Sequence, residues 1–166
     1  MSNNMKCEAL LAELEMEANA TRKCLERIPE TTFEWKPHEK SMKMGSLAVI
    51  VADIPRWIVK TVKDSVIDFG TYEHWYPKNT EELVTHFDQS INEAKETLKN
   101  TNDEELDKVF ELRNNGQVLY SSPKGASVGS SINHWVHHRG QMTVYMRMNN
   151  IPVPSIYGPS ADDQTF

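Results

Sequence analysis

Apolar residues recur along most of this chain at spacings of three, four and seven, the interval at which one face of an α-helix repeats. From about Asn4 to Arg27 the stripe is Leu10, Leu14, Thr21 and Leu25, with Ile28 just beyond and polar residues on the other face. Pro29 ends it. After an irregular stretch punctuated by Pro37 and Gly45, Ser46 reads as the N-cap of a second helix whose inward stripe is Leu47, Ile50, Val51, Ile54, Trp57, Ile58, Thr61 and Val62. Pro55 lies within that stripe and is expected to kink the helix. Gly70, Tyr72, Trp75, Tyr76 and Pro77 describe an aromatic loop.

Asn79-Thr80-Glu81-Glu82 is a capped, acidic helix start, followed by Leu83, Phe87, Ile91, Ala94 and Leu98 on one face. Two β-prone runs, Val109–Leu112 and Gln117–Tyr120, flank Asn115-Gly116 and predict a short hairpin. A last helix runs to Met148, with Asn149-Asn150 as its stop, and the Pro-rich tail after it cannot be helical. The expected elements are therefore helices near 4–28, 46–66, 80–99 and 126–148. They imply an all-α four-helix bundle, a single domain over residues 1–166, with the hairpin between helices three and four.

Composition narrows the function classes. The 166 residues are 39% hydrophobic and 25% charged, the balance of an ordinary globular chain. A net charge of −6 without a clustered basic face argues against a nucleic-acid partner. No run reaches the roughly 18 apolar residues of a membrane span, and the first eight residues carry no signal-peptide core, so a cytoplasmic protein is expected. Cys7 and Cys24 both fall in the first helix, where seventeen residues of rise separate them by about 25 Å, so they are read as free thiols.

The chemistry is concentrated in Asn133-His134-Trp135-Val136-His137-His138-Arg139-Gly140-Gln141. His134 and His138, four apart, share one helix face within reach of a single ion, and imidazole is a common ligand for divalent metals. Gln141 and Tyr145 fall within roughly 60° of the same face, while Trp135, Met142 and Met146 should face the core. Spacing alone leaves open a second reading, a hydrogen-bonded histidine pair at a helix interface. His137 points about 100° away and reads as a surface or dimer-contact residue; His38, His74 and His86 read as solvated.

The segment from Asn133 to Asp162, with its histidine pair, Arg139-Gly140-Gln141, Tyr145 and the Pro-Val-Pro-Ser-Ile-Tyr-Gly-Pro tail, resembles the last helix and tail of the DinB/YfiT-like family. Trp35–Met42 and Asp53–Trp57 also match family segments, so the resemblance spans essentially the whole chain. It implies an up-down-down-up helix order, a homodimer, and a divalent-metal-dependent enzyme of hydrolase or thiol-dependent transferase type with a role in stress response. In the family, three histidines hold the ion, nickel or zinc being the expected metals. Two of them fall on His134 and His138. The third should lie on the second helix three residues before Asp53, and that position is Ile50, which cannot ligate.

Asp53 is then either a substitute ligand or a polar flank residue. Three readings follow. The first is a metal-dependent enzyme that activates water or a low-molecular-weight thiol, with Gln141 and Tyr145 orienting the substrate. The second is a non-catalytic relative that has lost the metal and serves as a dimeric small-molecule-binding or interaction module. The third is a metal-independent enzyme using His134 or His138 as general base.

Overall fold

A computed structural model describes residues 4–165. In chain order the elements are α1 (Met5–Leu25), α2 (Met44–Lys63), β1 (Val66–Asp68), α3 (Thr80–Lys99), a one-turn α4 (Asp103–Leu106), β2 (Val109–Asn114), β3 (Gln117–Pro123) and α5 (Lys124–Met148). A 3-10 turn, Glu30–Thr32, lies between α1 and α2. The helix α2 packs along α3 and α5, and α1 along α3 and α5, so α1 and α2 have little direct contact across the core. One cluster of buried side chains, among them Leu14, Val51, Ile58, Phe87, Ile132 and Trp135, fills the space between them. Among the described residues, no helix is long and apolar enough to cross a membrane.

The third helix begins and ends where its pattern says. The side chain of Asn79 accepts a hydrogen bond from the Glu82 amide at 2.9 Å, satisfying one of the free N–H groups of the first turn. The first helix is shorter than expected and gives way after Leu25 to turns that carry the chain to Ile28. The second begins earlier, with Lys43 rather than Ser46 at its cap, and the Ser46 hydroxyl pairs instead with Tyr76. It runs on through Pro55 and stops at Lys63, because Ser65 adopts a φ of 62° and turns the chain into a strand.

That strand corrects the all-α expectation. β1 pairs in parallel with β2, Val66 opposite Glu111 and Asp68 opposite Arg113, while β2 and β3 form the expected antiparallel hairpin. Asn115 and Gly116 make its turn at φ 48° and 80°, the left-handed conformation a tight hairpin needs. The Asp68 carboxylate closes on this turn, accepting from the amides of Gly70 (2.8 Å), Asn115 (2.8 Å) and Gly116 (2.7 Å). Those amide donors hold its carboxyl below the usual aspartate range.

Two buried cations, Arg139 and Lys124, fasten the helices to one another. Arg139, 2% exposed, pairs with Glu17 at 2.6 Å, and also donates to the Glu17 carbonyl, the Thr21 hydroxyl and the Tyr157 hydroxyl. Tyr157 in turn donates to the Glu17 carboxylate, whose oxygens lie 2.9 and 3.0 Å away. Helix α5, helix α1 and the Pro-rich tail are thereby joined at one point. Lys124 donates to the Val62 carbonyl and to Glu105, both at 2.6 Å, tying the start of α5 to the end of α2.

Removing one member of a buried pair strands the other charge in the core. Arg139→Met is therefore expected to lower unfolding free energy by about 3–5 kcal/mol in urea titration, and the double replacement Glu17→Leu/Arg139→Met to recover most of that loss.

Candidate functional site

The histidine pair sits on the flank of α5. Trp135 points inward with Met142 and Met146, all fully buried, and this turns His134 and His138 toward the edge of the core. Their Nε2 atoms lie 2.7 Å apart, and the Nδ1 of His138 lies 2.8 Å from Oε1 of Gln141. An amide oxygen only accepts, so His138 carries its hydrogen on Nδ1, and its bare Nε2 accepts from the Nε2–H of His134. Burial, followed by the repulsion a second imidazolium would meet from His138 and His137, pushes the His134 pKa down. Gln141 thus touches the pair, whereas Tyr145 packs edge-on against Trp35 at 5.5 Å. His137 is exposed, as expected, and so are His38 and His74.

Two nitrogens bound to one ion at about 2.0–2.1 Å would stand roughly 3 Å apart, close to the spacing of this pair. His138 also has the outer hydrogen bond that orients many metal-binding imidazoles. The third ligand does not follow. Ile50 is half-buried against the core, and its side chain offers no lone pair. Asp53 is committed elsewhere: its carboxylate meets His86 Nε2 at 2.8 Å, accepts from the Tyr72 hydroxyl, and lies 3.8 Å from Arg56. Among the described residues, no group of three His, Cys, Asp or Glu side chains is disposed to hold an ion. The residues present fit only part of a three-histidine site.

The Asp53 cluster corrects the expectation that His86 is solvated. Its side chain is 16% exposed and stacks on Trp75 with ring centroids 4.1 Å apart. Trp57 Nε1 donates to the Tyr72 hydroxyl at 2.7 Å, so Asp53 fixes Tyr72 and Tyr72 fixes Trp57. The Trp57 ring lies 6.0 Å from that of His134. Burial alone would raise the Asp53 pKa, but the bonds from His86 and Tyr72 outweigh it and the net shift is downward. Asp53 and Trp57 share a face of α2 by their spacing, which is visible in the sequence. The partners that complete the cluster come from α3 and from the aromatic loop, and no local pattern announces them.

Beside His134 a cavity of about 290 Å³ opens between the small sheet and helices α2 and α5, with Trp57 in its wall. The two thiols stand apart from it. Cys7 and Cys24 are free and buried, and burial pushes both pKa values up to about 11, so neither is a ready nucleophile.

Comparison with known proteins bears on the whole chain. The model of the DinB family matches residues 1–165. The uncharacterised protein YrdA of Bacillus subtilis (strain 168) is 29% identical over 156 residues, 92% of this chain and 89% of that protein. A DinB-like protein from Bacillus cereus ATCC 10987 superposes with a TM-score of 0.73 at 23% identity, covering 95% of this chain and all of that one (100%). The DinB-like protein YjoA of Bacillus subtilis gives 0.70 at 17% identity, covering 94% and 99%. At these identities the two structures show a shared fold.

The Asp53 cluster has a pH signature. A carboxyl whose folded pKa is depressed contributes stability that is complete above the unfolded value, about 3.9, and is lost as pH falls through the folded one. Asp53→Asn is expected to cost about 1–3 kcal/mol at pH 7. The gap to wild type should narrow below about pH 4, read from urea midpoints between about pH 3 and 7.

Proposed function

The chain belongs to the DinB family, and on that premise we propose that it is a small-molecule-binding member whose three-histidine metal site is reduced to His134 and His138. Divalent metal is then held weakly, and the cavity beside His134 is the working site. The observation that carries this reading is the incomplete donor set: two imidazoles 2.7 Å apart, with isoleucine at the position of the third. Two protein donors are fewer than the three of ordinary catalytic zinc sites.

A second reading, the metal-dependent hydrolase or thiol-dependent transferase, is favoured by the convergence of the two Nε2 atoms and by the outer bond from His138 to Gln141. Bound nickel or zinc would supply an activated water or thiol. The thiol would come from solution, since both cysteines are buried. For the fold, the pairing of α1 and α2 with α3 and α5, and the long connections between them, support an up-down-down-up four-helix bundle in a single domain.

Two measurements test these statements. Wild type is expected to bind nickel or zinc weakly, and Ile50→His tightly at one equivalent. That variant should be about 1–3 kcal/mol less stable than wild type in chelator. It should gain about 2.7 kcal/mol at free metal near 100 times its dissociation constant. Tight one-equivalent binding by wild type would reject the reduced-site reading. Sedimentation at micromolar concentration is expected to show a homodimer; a monomer alone would remove the dimer from the proposal.

A further inference from the structure

The cavity beside His134 has two unlike walls. One is a strip on α5: Ser127, Ser130, Ser131 and His134 recur at helical spacing, with Thr61 of α2 also in the lining. The other is apolar, built from Trp57 and Phe69 together with Ile67, Phe110, Leu112 and Tyr120 of the sheet. Ser127 is buried and its hydroxyl lies 2.6 Å from that of Ser122, which fixes one end of the strip. Trp57 is held in place through Tyr72 and Asp53.

No Asp, Glu, Lys or Arg lines this cavity among the described residues. An ionised ligand entering it would lose its hydration without meeting an opposite charge, whereas an apolar ring gains by leaving water. The net charge of −6 further opposes the approach of anions.

We propose that the ligand class of this cavity is an uncharged, flat ring compound of one or two rings, with a hydroxyl or similar hydrogen-bonding group along one edge. The ring lies against Trp57 and the sheet, and the polar edge faces the serine strip. This inference rests on the reading of the cavity as the working site and adds its chemical selectivity.

The test uses the full chain and isothermal titration with 2-naphthol, 2-naphthoate and the 2-naphthyltrimethylammonium ion. 2-Naphthol is expected to bind with 1:1 stoichiometry, at least about tenfold tighter than either charged probe. Ser131→Leu, which covers part of the strip, and Trp57→Ala, which removes part of the apolar wall, should each weaken it. Far-ultraviolet circular dichroism confirms that each variant is folded. Equal affinity for all three probes would overturn the inference while leaving a binding cavity. Tighter binding of the ammonium ion would replace it with a cation site framed by aromatic rings. Binding of 2-naphthol unaffected by both substitutions, or no binding at all, would also overturn it. Equal affinity thus removes the selectivity alone, absence of binding removes the cavity as working site with it, and the metal titration of Ile50→His bears separately on the reduced histidine site.

Discussion

The buried pairing of Arg139 with Glu17 constrains how α5, α1 and the tail can be arranged. An unpaired guanidinium in the core is strongly unfavourable, so α5 has one rotation about its axis in which Arg139 reaches α1. His138 precedes Arg139 and is turned about 100° from it, which brings the histidine pair to the flank of α5. Tyr157 reaches the same carboxylate from the tail, so the segment after α5 is fastened by polar bonds in place of a helix of its own.

A second polar cluster organises the opposite side of the site. Asp53 joins α2, α3 through His86, and the aromatic loop through Tyr72. Trp57 receives its orientation from that cluster and presents a face to the cavity. The site is thus supported from α5 by one buried ion pair and from α2 by one carboxylate.

Much of this is legible in the sequence. The Asn79 cap, the Asn115-Gly116 turn and the inward set of Trp135, Met142 and Met146 depend on neighbours within a turn or two, and local pattern reports such neighbours faithfully. β1 escapes such a reading because its three residues pair in parallel with a strand far along the chain, and a run that short carries no alternation. The buried charges escape it because acids and bases are ordinarily solvated. For one buried pair a signal exists: Glu17 falls on the stripe of Leu10, Leu14 and Thr21, and Arg139 on that of Trp135, Met142 and Met146. His86 gives no such signal, since only the fold brings Asp53 to it.

The clamp of Asp68 on the hairpin also bears on how the molecule ages. Asn-Gly pairs are where proteins most readily lose ammonia, because the glycine nitrogen can attack the preceding side-chain amide. Here the Gly116 N–H is held by Asp68 at 2.7 Å, and an N–H bound to a carboxylate gives up its proton reluctantly. The Asn115 side chain also packs so closely on Gly70 that any side chain at position 70 would collide with it. The chemical durability of this turn therefore resides in a three-residue strand distant from it in sequence.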